Sequence, residues 1–219
     1  MATIDELKRL AAQLAHPSGE EGLRLAQMME ETNYGMTKQA WHALSVQPGQ
    51  HVLELGHGNA SHVTPFLAAN SNVHYSGLEI STSMHQLAMQ VNQASIVSGR
   101  ADFRLYDGQE FPYPLASFSC IFAVNTIYFI DDPATFTTKL SGLLAKNGKL
   151  AFTFATKSFM EMLPFTAYGF NLYEQEDVLR FADPDVLTLH SIIRDKEMVL
   201  SKNGDEVERE FVTIVWSKI

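Results

Sequence analysis

The residues whose types and spacing suit chemistry cluster in the first half of the chain. An apolar run of Val52, Leu53 and Leu55 encloses the acid Glu54 and ends in two closely spaced glycines, Gly56 and Gly58. The run has the composition of a buried parallel strand, and the glycines allow the following loop a positive φ and let its backbone approach a ligand with no Cβ in the way. A ligand carrying an adenosine is the usual occupant of such a strand, loop and helix start. Two more acids follow in order, Glu79 at the end of the next apolar run and Asp107 in an Asp-Gly pair after the one beyond. His57, His62 and His85 are the nearest general-base candidates, although capping a helix or facing solvent explains each at least as well.

Positioning these residues calls for alternating strands and helices. Strand-like runs at Val73 to Glu79, Phe103 to Tyr106, Phe118 to Asn125 and Lys149 to Phe154 are separated by helical patterns, which predicts a parallel sheet with helical crossovers. Ser81 is placed to cap a helix with Met84, Leu87 and Val91 on its inner face. Asp131-Asp132-Pro133 opens another, with Phe136, Leu140, Leu143 and Leu144 inward and Asn147-Gly148 at its end.

Upstream, Thr3-Ile-Asp-Glu6 and Ser18-Gly-Glu-Glu21 both fit the capping box. Residues 1–49 are therefore expected to form an N-terminal helical elaboration or lid on a main domain of residues 50–219. Its first helix carries Ile4, Leu7, Ala11 and Leu14, its second Leu25, Met28 and Met29, and a break at Asn33-Tyr34-Gly35 precedes a third from Met36 to Leu44. Downstream, the aromatic residues Phe159, Phe165, Tyr168, Phe170 and Tyr173, interrupted by Pro164 and Gly169, make residues 156–182 either a substrate lid or core beneath the last strands. A short helix is expected around Glu174 to Phe181. Two β-rich runs, Val186 to Leu200 and Val207 to Trp216, flank Asn203-Gly204, a strong hairpin signal.

Composition bounds the function. With 219 residues, 46% of them hydrophobic, the chain suits one well-buried domain with an elaboration. Lysine and arginine number 16 against 25 aspartates and glutamates, a net charge of −9 with no basic run, so the phosphate-neutralising patch that nucleic acid requires is missing. No apolar stretch approaches the roughly 20 residues that span a bilayer, and the N-terminus lacks the order of a signal peptide, so a cytoplasmic protein with no membrane span is expected. Cys120, the single cysteine, reads as a small buried hydrophobe and argues against a cysteine-built metal site. No metal is expected. The oligomeric state is not legible.

Together these residues resemble a class I S-adenosylmethionine-dependent methyltransferase of the small-molecule type. The resemblance covers residues 50–155 well and the two ends by architecture. The family's first motif, acid-x-Gly-x-Gly-x-Gly, is matched by Glu54, Gly56 and Gly58, with Ala60 at the third glycine. Glu79 matches the acid ending the second strand, and Asp107 the polar or acidic residue after the third. Phe118-Ser119 departs from the Phe-Asp of many members, while Leu143-Leu-Ala-Lys-Asn-Gly-Lys-Leu150 resembles the segment before strand five. The implied fold is α/β, a Rossmann-like doubly wound, mainly parallel seven-stranded sheet ending in an antiparallel β-hairpin, with N-terminal helices.

The resemblance implies S-adenosyl-L-methionine as cofactor and a small-molecule acceptor with an oxygen, nitrogen or carbon nucleophile. Glu79 would accept both ribose hydroxyls, with Ile80 beside it. The Gly56 to Gly58 backbone, with His57 and Asn59, would lie against the methionine and ribose portions, and Glu54 would hold the methionine ammonium or the loop itself. Asp107, next to Gly108, would accept from the adenine amino group. Asn125 would lie beneath the methionine portion. Tyr128 would sit close to the sulfonium, where an aromatic ring contributes about 0.5–2 kcal/mol. Tyr34, Phe165 and Tyr168 complete the expected acceptor side, whose aromatic character favours a hydrophobic or aromatic acceptor. Methyl transfer proceeds by alignment and needs no dedicated base, so no residue is assigned as catalytic. Two alternatives stand beside this. An NAD(P)-dependent oxidoreductase has an acid about 20 residues after a Gly-x-Gly-x-x-Gly loop, which suits Gly58 and Glu79 but leaves Ser61 at the third glycine. A binding module could retain the cofactor crevice without turnover.

Overall fold

The computed structural model describes residues 2–200 and 206–219, with the backbone alone at Leu200. Two helices come first, α1 (Ile4–Ala15) and α2 (Gly19–Leu44). Then β1 (His51–Leu55), α3 (Val63–Ala69), β2 (His74–Glu79), α4 (Thr82–Val91), α5 (Gln93–Val97) and β3 (Ala101–Leu105) alternate. A loop leads to β4 (Phe118–Val124), α6 (Pro133–Leu143) and β5 (Leu144–Ala155). Short helices α7 (Lys157–Met160) and α8 (Gln175–Leu179) precede the closing strands β6 (Leu187–Leu200) and β7 (Glu206–Lys218).

The seven strands form one sheet in the order β3-β2-β1-β4-β5-β7-β6. Strands β1 to β5 pair in parallel, and β7 runs antiparallel to both β5 and β6. This is the expected Rossmann-like, doubly wound sheet with a C-terminal hairpin. The Asn203-Gly204 turn lies outside the described residues, although Leu200 pairs with Glu206 on either side of it. Alternate residues of the buried strands feed two cores. Leu53, Ile121 and Phe152 face α6, Phe136 and Leu140, whereas Val52, Cys120 and Ala151 face Ala40 and Leu44 of α2 and the helix α3. Burial pushes the Cys120 thiol up to about 11, as suits a packed rather than a reactive cysteine. No helix among the described residues is long and apolar enough to cross a membrane.

The structure corrects several local expectations. Thr3 and Glu6 form the predicted capping box, but Ser18 makes no side-chain cap. Gln13 instead donates to the Ser18 hydroxyl and accepts from its amide, tying α1 to α2. Asn33-Tyr34-Gly35 does not break the helix, and α2 runs on for 26 residues. Gly35 has a packing reason: a Cβ there would collide with the Glu197 carboxylate of β6. On α4 the inner face is Met84 and Ala88, while Val91 is exposed. Helix α6 ends at Leu143, and Leu144 already belongs to β5. Asn147-Gly148 is therefore not a helix stop but an irregularity inside the strand, with Asn147 at φ 62° and the register shifting opposite it between Phe118 and Cys120.

Candidate functional site

Strand order reverses between β1 and β4, and in open α/β sheets the carboxyl ends part at such a point to leave a crevice. A cavity of about 800 Å³ opens there. Its floor is the loop after β1 and the ends of β2, β3 and β4, and α2 with the turn before it closes the top through Pro17, Glu30, Asn33 and Tyr34. All ten positions expected to bind a cofactor line it, namely Glu54, Gly56, His57, Gly58, Asn59, Glu79, Ile80, Asp107, Gly108 and Asn125.

The loop takes its shape from left-handed backbone at Gly56 (φ 70°), Gly58 (φ 57°) and Ala60 (φ 53°). At Gly56 the absent Cβ also admits the Thr126 hydroxyl, 2.7 Å from where that carbon would stand. Ala60 holds the same conformation at some cost in strain, with its carbonyl accepting from Asn92 Nδ2 at 2.9 Å. Glu79 stitches loop to strand. Its Oε2 accepts from the Gly58 amide at 3.0 Å, and its Oε1 accepts from the Ile80 and Ser81 amides at 2.8 and 2.9 Å. Each carboxylate oxygen offers about two lone-pair sites, so Glu79 retains capacity for a ligand hydroxyl.

Glu54 plays a different part. It is buried, and its Oε2 accepts from His62 Nε2 at 2.7 Å and from the Tyr75 hydroxyl at 2.5 Å, so it fastens the start of α3 to β1 and β2. Burial, then the Glu54 charge, holds the Tyr75 phenol well above its usual range. His57 is buried too, edge-on to Phe103, with its ring seated where Gly77 has no Cβ. Nδ1 lies 2.9 Å from the Gly58 carbonyl, which fixes the proton there, and Nε2 has no partner among the described residues. Desolvation pushes the His57 pKa down, so the ring is neutral.

Asp107 is exposed, and its Oδ1 accepts from the Gln109 and Glu110 amides at 2.8 Å each. Those two bonds hold its pKa below the usual range and leave Oδ2 for a ligand. Lys139 of α6 clamps the same loop, donating to the Gln109 carbonyl and the Glu110 carboxylate. Asn125, at φ 55°, is fully engaged. Its Nδ2 donates to Asn33 Oδ1 at 3.1 Å, and its Oδ1 accepts from the Tyr128 hydroxyl and the Ala155 amide at 3.1 and 3.3 Å.

On the expected acceptor side only Tyr34 lines the cavity. Tyr128 is turned into the core, its single hydroxyl proton shared between Asn125 Oδ1 and the Ala155 carbonyl at 3.1 and 2.9 Å, so it positions Asn125 and does not line the cavity. Phe165 packs on Phe170, which in turn packs on Phe129, and Tyr168 lies beneath the Lys8 ammonium. No residue of 156–182 lines the cavity, because Phe170 of the aromatic stretch packs on Tyr128 and Phe129 behind it instead of over its mouth. The cavity is completed by residues that the sequence pattern did not single out: Glu30, Asn33, Thr126, Phe129, Ile130 and Lys139. Asn33 stood in the expected break Asn33-Tyr34-Gly35 and Glu30 before it, which concealed the face they share on α2.

Residues 53–152 match the family model described as a methyltransferase domain. An O-methyltransferase of Aspergillus sclerotiorum is 25% identical over 135 residues, 62% of this chain and 48% of that protein. The 27-O-demethylrifamycin SV methyltransferase of Amycolatopsis mediterranei is 27% identical over 123 residues, 56% of this chain and 45% of that protein. The chain thus spans about half the length of these curated relatives. Among solved structures, geranyl diphosphate C-methyltransferase from Streptomyces coelicolor aligns with a TM-score of 0.70 at 10% identity, covering 95% of this chain and 87% of that one. The cyclase SpnF aligns at 0.65 and 15% identity over 84% and 80% of the two chains. These likenesses establish the fold and leave the reaction to the site.

Proposed function

We propose that this chain, which carries a class I S-adenosylmethionine-dependent methyltransferase domain, transfers the methyl group of S-adenosyl-L-methionine to a nucleophile of a small molecule. The observation that carries this reading is Glu79. A buried carboxylate at the carboxyl end of β2, beside a left-handed glycine loop and opening into a cavity of about 800 Å³, has the donor-accepting chemistry that a ribose diol requires. Asp107 Oδ2 is the acceptor available to the adenine amino group. The cofactor supplies an activated methyl on a positively charged sulfur. The chain supplies alignment and exclusion of water: Thr126 and Asn125 fix the loop and strand ends beneath the reacting centre, and α2 covers it.

Residues 1–49 act as the lid in this reading. The Ser81 hydroxyl, next to the adenosine side, donates to the Pro17 carbonyl at 2.5 Å and seats the α1–α2 turn over the cavity. Phe129, Ile130, Met29 and Tyr34 give the remaining space an apolar and aromatic wall, which suits a hydrophobic acceptor. The two named relatives act on oxygen by their names, which favours a hydroxyl nucleophile. Thermal shift with S-adenosylmethionine, S-adenosylhomocysteine and NAD tests the cofactor. Both the sulfonium S-adenosylmethionine and the thioether S-adenosylhomocysteine should raise the melting temperature, and stabilisation by NAD alone overturns the proposal. Methyl transfer from isotopically labelled cofactor to a panel of phenols, amines and carbon acids then identifies the accepting atom.

A further inference from the structure

The top of the cavity holds two polar side chains one helical turn apart on α2, Glu30 and Asn33, whose surroundings fix what each presents. Asn33 Oδ1 accepts from Arg209 Nη1 at 3.0 Å and from Asn125 Nδ2 at 3.1 Å. A guanidinium only donates, so the amide cannot be flipped: its oxygen faces Arg209 and its NH2 faces the other way. Arg209 is itself buried and held by the Thr32 carbonyl and by Glu197 Oε1 at 2.5 Å, which makes the anchor rigid. Asn33 Nδ2 has no partner among the described residues and is not sealed in the core, and Asn33 lines the cavity. Glu30 lines it too, over the glycine loop, where its Oε2 accepts from Asn59 Nδ2 at 2.6 Å. No cation pairs with Glu30 among the described residues. Among the described residues Lys139 is the sole lysine or arginine lining the cavity, and its amino group is engaged at the far end by Gln109 and Glu110.

Resting on the methyltransferase reading, we infer that Glu30 and Asn33 form a clamp for a zwitterionic amino-acid head, the methionine portion of the cofactor, with Glu30 taking the ammonium and the Asn33 amide donating to the carboxylate. The complementarity is in charge and in place. Of the two other acids near the loop, Glu54 already accepts from His62 and Tyr75, and Glu79 accepts from three backbone amides at the ribose side, so Glu30 is the acid left facing the cavity above the loop. With no free cation there, a fixed neutral donor is what the α2 side offers a carboxylate. The clamp would make the C-terminal hairpin a contributor to cofactor recognition, since Arg209 of β7 and Glu197 of β6 set the direction of the Asn33 donor.

Calorimetric titration with two ligands tests this: S-adenosylhomocysteine, which carries the amino-acid head, and 5′-methylthioadenosine, which lacks it. Asn33→Asp keeps an oxygen toward Arg209 and Asn125 but turns an oxygen on the carboxylate in place of the NH2. It should weaken S-adenosylhomocysteine binding about tenfold or more, the weight of one charge-assisted hydrogen bond, and leave 5′-methylthioadenosine unchanged. Glu30→Gln should likewise weaken the first ligand several-fold and spare the second. Equal losses for both ligands, or no loss for S-adenosylhomocysteine, overturn the clamp. If the wild-type chain binds neither ligand, the methyltransferase reading falls and the clamp with it; if wild type binds both and the variants do not discriminate, the clamp alone falls.

Discussion

At the scale of single residues, Glu79 holds the glycine loop closed before any ligand arrives. Three backbone amides converge on its carboxylate, so its removal acts on the loop as well as on binding. Glu79→Gln separates the two effects better than truncation. The amide oxygen can still accept from Ile80 and Ser81, but the new NH2 faces the Gly58 N–H, donor against donor. One charge-assisted bond is lost, so stability should fall by about 1.5–3 kcal/mol in a denaturant titration, and S-adenosylhomocysteine affinity should fall at least tenfold. Unchanged affinity in a folded variant would remove Glu79 from the ligand site. Glu54 illustrates the opposite case. Its place before the loop was legible in the chain, yet its oxygen meets His62 and Tyr75, so its contribution is to hold β1, β2 and α3 together.

At the scale of elements, α2 is one helix because its apparent breaker is a packing device. A helix-interior glycine ordinarily costs about 0.5–1 kcal/mol relative to alanine, so Gly35→Ala would stabilise an isolated helix by that amount. Here the added Cβ would collide with the Glu197 carboxylate and push it off Arg209, a buried guanidinium. Gly35→Ala is therefore expected to destabilise the chain by about 1–3 kcal/mol, since a buried charge loses its partner. In a Glu197→Ala background the same change should be neutral or stabilising. A double-mutant cycle measured by chemical unfolding checks the coupling, and additivity would show that Gly35 has no such role. The aromatic stretch after β5 makes a related point. Its composition suited a lid or a core equally, and the ring stacking of Phe165, Phe170 and Phe129 places it behind the cavity wall.

At the scale of the whole molecule, one buried histidine, His57, and one half-buried histidine, His51, are held in a form that acid disfavours. Burial pushes the pKa of His51 and of His57 below the unfolded value of about 6.5. Protonation then favours the unfolded chain. Their contribution is fully present above about pH 6.5 and is lost as the pH falls through that value toward the folded pKa values. The melting temperature should thus drop between pH 7.5 and 5.5, and His51→Gln, which preserves a partner for the Ser76 hydroxyl at 2.8 Å from the ring, should flatten that slope. A slope unaltered by the substitution would assign the acid sensitivity to other groups.

What the sequence determined by itself is the series of strand ends. Alternation of apolar runs with helical spacing, and the order Glu54, Gly56, Gly58, Glu79, Asp107, are local patterns, because a strand's burial and a loop's positive φ are properties of a few consecutive residues. They sufficed for the sheet, the crevice and the cofactor side, and all ten of those positions meet in one cavity. What only the tertiary structure decided is how polar groups share hydrogen bonds. Whether Glu54 faces a ligand depends on Tyr75, and the direction of the Asn33 amide depends on Asn125, 92 positions away, and on Arg209, 176 positions away. A donor chooses among acceptors by distance and angle, and no spacing along a chain encodes that choice until the fold has brought them together.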